Sequence, residues 1–244
     1  MRIDAFAVRL RPRSNMEATD LGVRLCQSAA RQVYACYWFV GVPVVAIALA
    51  SFGIAAWLPT VVVWLAKPWL DRTILFVLSR AAFGQMTSPG ELWRARREVW
   101  WRQPIRTWTS RRLSPWRSFT QPVYQLEGLR GSQLRKRVVQ IRRGRTGAAA
   151  LVSCLFGLAE TSLTLGLASL AFWMAPKGYA PEFDKLFSGE QSVHTELALQ
   201  AAYASVVLFL EPFFVAAGFA MYLNRRAELE AWDIEQEFRR AFTV

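Results

Sequence analysis

The apolar residues of this chain are concentrated in long runs, and this distribution constrains the fold more than any other feature. The first run, residues 36–56, contains no charged residue and is long enough to cross a bilayer as a helix. The third and fourth runs, residues 146–175 and 197–223, contain one charged residue each, Glu160 and Glu211. These runs predict an all-α integral membrane protein.

The second run, residues 60–83, has a suitable length but an unusual composition. Lys67, Asp71 and Arg72 interrupt it near its middle. Pro68 has no N–H to donate to the carbonyl of residue 64, and it disfavours helical geometry at the residue before it. We predict two half-helices joined near Pro68, with a re-entrant hairpin as the alternative. The expected architecture is a helical bundle of four spanning segments, with the second one broken.

This pattern predicts a single membrane domain over residues 1–244. Its parts are an N-terminal segment (1–35), a first helical pair (36–84), a basic Trp-rich loop (85–145), a second helical pair (146–223) and an amphipathic tail (224–244). Within the loop, Ser88, Pro89 and Glu91 predict a helix start, and a second basic helix is expected over residues 131–143.

The basic residues predict the orientation of the chain. The loop 85–145 holds 15 of the 30 Lys and Arg but only three acids, an excess equal to the entire net charge of +12. The N-terminal segment has six basic residues, the tail has four, and the connection 176–196 has two. Because cytoplasmic loops carry the excess of Lys and Arg, we predict a bacterial inner-membrane protein with both termini cytoplasmic.

Five charged residues lie about half-way along their predicted spans: Lys67, Asp71, Arg72, Glu160 and Glu211. An ion exposed to lipid at that depth costs about 3 kcal/mol or more, so these side chains should face inward and pair. A small and polar stripe from Gly157 to Ala168 predicts close helix approach around Glu160. The cluster is interpreted as an ion-pair latch or, alternatively, as a substrate or proton site at a broken helix.

The basic loop interleaves Arg with Trp, a combination that suits a surface at anionic headgroups. The bias of cytoplasmic loops toward positive charge is the simpler alternative. The residues predicted to face lipid are Trp93, Arg96, Arg97, Trp100, Trp101, Arg102, Trp108, Arg111, Arg112 and Trp116. Anionic membrane lipids and other membrane proteins are therefore the expected partners. Nucleic acid is not expected, because a loop tethered to the membrane has poor access to it.

The tail carries five acids that could dock against the basic loop or form a solvated face. They are Glu228, Glu230, Asp233, Glu235 and Glu237.

The sequence predicts no enzyme, no cofactor and no metal site. It has one histidine and three cysteines without CxxC spacing, and it lacks metalloprotease, nucleophile-elbow and nucleotide-binding motifs. We expect no catalytic residue.

Several short sequence segments resemble those of a known protein family. They are RPRS at 11–14, EATDLG at 17–22, KPWLDR at 67–72, LSRAAFG at 78–84, RLSPWRSF at 112–119, QLEGLRG at 125–131 and EPFFVAAGFAMYLNRRAELEAWDIE at 211–235. Together they resemble a family of proteobacterial inner-membrane proteins of uncharacterised activity. That family is distantly similar to YciC-like proteins and to the membrane domain of some glycerophosphodiester phosphodiesterases. The resemblance implies roles for Lys67, Asp71, Arg72, Glu211 and Asp233.

The function expected from these features is a non-enzymatic scaffold or accessory subunit that organises partner proteins or anionic lipids at the cytoplasmic leaflet. The alternative is a small transporter or channel subunit that uses the intramembrane charges.

Overall fold

The structure is a computed structural model that describes residues 13–101, 114–174 and 193–230. Among these residues the regular secondary structure is entirely helical, without a strand, and the predicted all-α class is confirmed for them. The helices are α1 (Asn15–Ser28), α2 (Ala30–Ala50), α3 (Leu58–Ala81), α4 (Pro89–Arg94), α5 (Arg96–Trp100), α6 (Arg117–Leu126), α7 (Gly131–Arg142), α8 (Thr146–Trp173) and α9 (Val193–Glu230). A short 3₁₀ turn, Ser51–Gly53, follows α2.

Three of these helices are long and apolar enough to cross a membrane. They are α2 with the turn after it, α8, and α9. The first, third and fourth apolar runs are therefore confirmed as helices of sufficient length and apolar composition to cross a membrane. Helix α3 has 24 residues but also holds Lys67, Asp71, Arg72 and Arg80.

The predicted break in the second run is wrong. Helix α3 is continuous from Leu58 to Ala81, with Pro68 inside it, so neither two half-helices nor a hairpin describes this segment. Pro68 removes one hydrogen bond of the helix. The residues from Lys67 to Leu75 are buried except for the half-buried Trp69, and tertiary packing of this kind overrides local propensity.

The local signals in the basic loop are confirmed. Ser88 caps α4, and its hydroxyl accepts from the Glu91 N–H while the Glu91 carboxylate accepts from the Ser88 N–H. Helix α7 matches the predicted second basic helix to within one residue. Two boundaries differ: α2 begins at Ala30 rather than at residue 36, and α9 continues past residue 223 into the tail without interruption.

The chain divides into two compact units, and each long helix contributes residues to both. The first unit comprises the described residues of Met1–Tyr37, Pro68–Cys154 and Pro212–Val244. Its largest buried side chains include Tyr37, Phe119, Phe219 and Tyr222. Two glycines allow backbones to approach closely, because a Cβ at Gly22 would overlap the backbone of Ala216 and one at Gly218 would overlap Ser118.

The second unit comprises Trp38–Lys67 and the described residues of Leu155–Glu211. Its apolar core contains Ala48, Val63, Ala204 and Val207. Gln200 ties α9 to the start of α3, since its amide contacts the Thr60 hydroxyl and donates to the Ala56 carbonyl at 3.0 Å. The α8 segment of this unit leaves most of its leucines exposed, as a helix that faces lipid would.

Candidate functional site

A buried ion triad occupies the second unit. The Nζ atom of Lys67 on α3 lies 2.6 Å from Oε2 of Glu160 on α8 and 2.9 Å from Oε2 of Glu211 on α9. The side chains are 9%, 21% and 3% exposed, in that order. The triad therefore connects three helices through one ammonium group.

The triad contains one cation and two carboxylates. Tyr203 on α9 makes a further side-chain hydrogen bond with Glu160. With both acids ionised the set carries one excess negative charge, and one added proton makes it neutral. Two carboxylates that share one buried cation can therefore hold a structural ion pair or exchange a proton or cation.

The five predicted intramembrane charges divide between the two units. Lys67, Glu160 and Glu211 belong to the second unit, whereas Asp71 and Arg72 belong to the first. Oδ2 of Asp71 lies 3.0 Å from Nε of Arg117 on α6, and the Asp71 side chain is fully buried. Arg72 is also buried, and its carbonyl accepts from Gln125 at 2.8 Å.

Sequence reasoning missed Arg117 as the counter-ion of Asp71. Nothing in the sequence distinguishes Arg117 from its neighbours, because it is one of 15 basic residues in a loop predicted to face the headgroups. The Arg117 guanidinium also lies 5.2 Å from the ring centre of Phe214 on α9. The first unit thus holds its own buried ion pair.

The predicted stripe for close helix approach on α8 is not realised at Gly157. Nothing lies within 4 Å of a Cβ added there, and Thr161 is exposed. The hydroxyls of Thr161 and Thr164 donate to carbonyls of their own helix, at Gly157 and Glu160. The reason is that α8 is anchored through few buried side chains, so this part of the stripe meets no neighbouring backbone.

The predicted lipid-facing residues fall into three groups. Trp93, Arg96, Arg97 and Trp101 are exposed, and the Arg96 guanidinium lies 5.1 Å from the centre of the Trp93 ring. Arg102, Trp108, Arg111 and Arg112 lie outside the described residues. Trp100 and Trp116 are packed against the protein.

Trp100 is a correction to the predicted surface. It is buried, its Nε1 donates to the Thr73 hydroxyl at 3.0 Å, and its ring lies 5.0 Å from that of Trp69. An indole buried in the core needs such a partner for its N–H. Helix α5 turns this side chain toward α3, so Trp100 anchors the loop to α3 instead of facing lipid.

Trp116 forms one wall of a cleft between α6 and α7. Its Nε1 donates to the carbonyl of Thr146 at 2.9 Å, and the Arg142 guanidinium stacks on its ring at 3.6 Å. The cleft has a volume of about 960 Å³. Arg135, Lys136 and Arg142 contribute its charge, and the described residues that line it include no carboxylate.

The tail docks against the loop through two of its five acids. Arg137 forms an ion pair with Glu230 of the tail. It also pairs with Glu127 of the loop, whose Oε2 lies 2.9 Å from Nε of Arg137. Arg145 lies 2.6 Å from Glu228. Asp233, Glu235 and Glu237 lie outside the described residues. Of the two alternatives for the acidic tail, docking against the basic loop therefore describes Glu228 and Glu230.

Pairing with carboxylates stabilises the charged form of Arg137, although this side chain is partly buried. Desolvation favours its neutral form, but hydrogen bonds with Glu127 and Glu230 outweigh that effect and raise the pKa of Arg137. Glu127 also accepts from the Tyr222 hydroxyl at 2.7 Å. This network fixes α7 against the end of α9.

Among the described residues, no group of His, Cys, Asp and Glu is arranged to hold a metal ion. Comparison with known proteins found no matching family model, no matching curated protein and no matching solved structure. The resemblance to proteobacterial inner-membrane proteins therefore stays a prediction. The buried triad and the basic surfaces of the first unit are the structural features with functional implications.

Proposed function

We propose that this chain is a non-enzymatic scaffold or accessory subunit of a bacterial inner membrane, which organises anionic lipids and partner proteins at the cytoplasmic leaflet. The observation that carries the proposal is the exposed surface of α4 and α5. There Arg94, Arg96 and Arg97 lie beside the exposed indoles of Trp93 and Trp101. Arg and Trp side chains together suit the charged and interfacial layers of a membrane.

The proposed topology has four spanning helices, with α3 as the second. The pairing of its charges supports this count, because α3 can cross lipid only if its ions find partners inside the protein. Lys67 has Glu160 and Glu211, and Asp71 has Arg117. An even number of crossings then leaves both termini on one side, which the distribution of Lys and Arg makes the cytoplasmic side.

A lipid-enrichment measurement tests the proposal. The full chain is reconstituted in a mixed phosphatidylglycerol and phosphatidylcholine bilayer and extracted in mild detergent, and the retained lipids are quantified by mass spectrometry. We expect enrichment of phosphatidylglycerol that falls as salt rises, because exposed charge contacts are screened. Equal retention of both lipids would reject the proposal.

A matched pair of variants links the enrichment to α5. Arg97→Gln should lower the enrichment by up to about five-fold, since each basic side chain near the surface contributes about 1 kcal/mol. Arg24→Gln removes the same charge from an exposed α1 side chain that already pairs with Asp20. We expect the Arg24 variant to retain the enrichment of the wild type.

The triad supports a second candidate, a small transporter or channel subunit. Two carboxylates on one buried ammonium, joining three helices, resemble the charge sets that mark ion pathways in membrane proteins. Proton or cation flux into proteoliposomes tests this candidate. If Glu160→Gln and Glu211→Gln abolish the flux but leave stability unchanged, the triad is a transport site. If the variants lose stability and function together, the triad is a structural ion pair.

A further inference from the structure

We propose that the cleft between α6 and α7 is a specific binding site for the phosphate of an anionic lipid headgroup. The proposal deepens the lipid-organising function and rests on it. It assigns a discrete site to three basic residues that the Arg and Trp pattern of the loop did not single out. Those residues are Arg135, Lys136 and Arg142 on α7, with Trp116 before α6 and the hydroxyls of Ser114 and Ser132 in the lining.

Arg142 is oriented for an external acceptor. Its guanidinium stacks on the Trp116 ring at 3.6 Å, and the indole is itself fixed by its bond to the Thr146 carbonyl. The Nε atom of Arg142 is buried and has no hydrogen-bond acceptor among the described residues. The Arg142 side chain as a whole is only half-buried, and phosphate oxygens are strong acceptors for the terminal nitrogens of a guanidinium.

Five basic residues on or beside α7 fall into two groups by the direction of their side chains. Arg137 and Arg145, which face the protein, each contact a carboxylate. Arg135, Lys136 and Arg142, which line the cleft, make no ion pair within the described ranges. Three cations around a space without a carboxylate create a positive potential that attracts an anion. Residues 102–113 contain no Asp or Glu either.

The position of the cleft identifies a lipid as the source of the phosphate. Trp116, which forms its wall, is bonded to Thr146, the first residue of the candidate spanning helix α8. The apolar span begins at that residue, so the cleft lies at the depth of the headgroups. Trp is enriched at that depth in membrane proteins. The hydroxyls and three cations match a phosphate with its polar substituent.

The affinity of the tightest bound lipid tests the site. The full chain, delipidated in detergent, is titrated with phosphatidylglycerol, with phosphatidylcholine and with inorganic phosphate, and bound species are counted by native mass spectrometry. We expect one phosphatidylglycerol to bind well before the others. Arg142→Gln and Lys136→Gln should each weaken that first binding step, by about ten-fold for Arg142, because a charged hydrogen bond is lost. Lys136 is exposed, so its variant should fold normally.

Two control variants distinguish binding in the cleft from general attraction between charges. Arg24→Gln removes an equal charge from α1, where Arg24 is exposed and pairs with Asp20, and should leave the first binding step unchanged. Arg142→Lys keeps the charge but loses the planar group that stacks on Trp116, and should weaken binding several-fold. A first binding step that Arg142→Gln weakens no more than Arg24→Gln does would overturn the site, while the enrichment of phosphatidylglycerol by the wild type, and hence the proposed function, would be unaffected. The lipid assignment would be overturned if the protein bound inorganic phosphate, if Arg142→Gln weakened that binding, and if neither lipid bound in preference to the other.

Discussion

The ammonium group of Lys67 lies 2.6 Å from the Oε2 atom of Glu160, and this ion pair joins α3 to α8. Helix α8 has few buried side chains along its apolar span. Ala168 is one of them, and apolar contacts of so small a residue are limited. The pair with Lys67 is therefore a principal attachment of the second half of α8. Its partner Glu211 extends the same attachment to α9.

Replacing Lys67 should destabilise the protein more than replacing either acid of the triad. Lys67→Met removes the ammonium group that both Glu160 and Glu211 contact, which we expect to cost about 3 to 5 kcal/mol of unfolding free energy. Glu211→Gln or Glu160→Gln leaves Lys67 with one carboxylate, so the expected loss is about 1 to 3 kcal/mol. Thermal unfolding in detergent measures the order of the three variants.

A compensated variant provides the control for the triad. Lys67→Met combined with Glu160→Gln and Glu211→Gln removes all three charges, and it should recover part of the stability that Lys67→Met loses. No recovery would mean that the charges of the triad are not coupled. A Lys67→Met protein as stable as the wild type would show that the buried pairs contribute nothing.

The buried pair of Asp71 and Arg117 should be essential to the first unit. Asp71→Asn removes the carboxylate and leaves the Arg117 guanidinium largely buried, at an expected cost of about 3 to 5 kcal/mol. Asp20→Asn is the matched control, because Asp20 pairs with Arg24 at 2.9 Å on the exposed face of α1. That change should stay within about 1 kcal/mol in the same unfolding measurement. Equal effects of the two variants would contradict the assignment.

Glycines at close backbone contacts should tolerate no methyl group. Gly22→Ala and Gly218→Ala would force a Cβ into Ala216 and Ser118, so each should lower stability by about 1 to 3 kcal/mol. Gly157→Ala is the control, since nothing lies within 4 Å of its Cβ and Ala favours the helix. Midpoints of thermal unfolding should fall for the first two and remain or rise for Gly157→Ala.

The buried Cys26 should remain unreactive in the native protein. Cys154 is exposed, whereas Cys26 and Cys36 are fully buried, and burial raises the pKa of the Cys26 thiol to about 12. Because the thiolate is the reactive form, Cys26 should resist N-ethylmaleimide until the protein unfolds. Mass spectrometry should show no adduct at Cys26 in the folded protein and an adduct there after unfolding. Rapid labelling of Cys26 in the native state would contradict its placement.

The proposed topology predicts the location of three reporter fusions. Fusions after residue 244 and within 100–130 should be active in the cytoplasm, and one near Gly189 should be active outside. The reason is the excess of Lys and Arg in the first two regions and its absence around Gly189. A cytoplasmic signal near Gly189 would contradict the four-helix topology.

Local chemistry in the sequence was sufficient to predict the long apolar helices, the start of α4 and helix α7. The apolar runs predicted α2, α8 and α9 because length and composition alone determine whether a helix suits a bilayer. Ser88 and Glu91 predicted the start of α4, since a capping box needs only residues that are three apart. The prediction failed at Pro68, where burial of the surrounding residues outweighed the loss of one backbone hydrogen bond.

Pairing between distant residues was decided only by the tertiary structure. The cost of lone charges in lipid indicated that Lys67, Asp71, Glu160 and Glu211 would need partners, but it could not indicate which ones. Asp71 contacts Arg117, 46 positions along the chain, because α6 packs beside α3 in the first unit. Charge counting likewise predicted a basic loop, but packing alone separates the paired Arg137 from Arg142, which stacks on Trp116 and lines an open cleft. Sequence composition determines how much charge a segment carries, whereas the direction of each side chain depends on which helices meet.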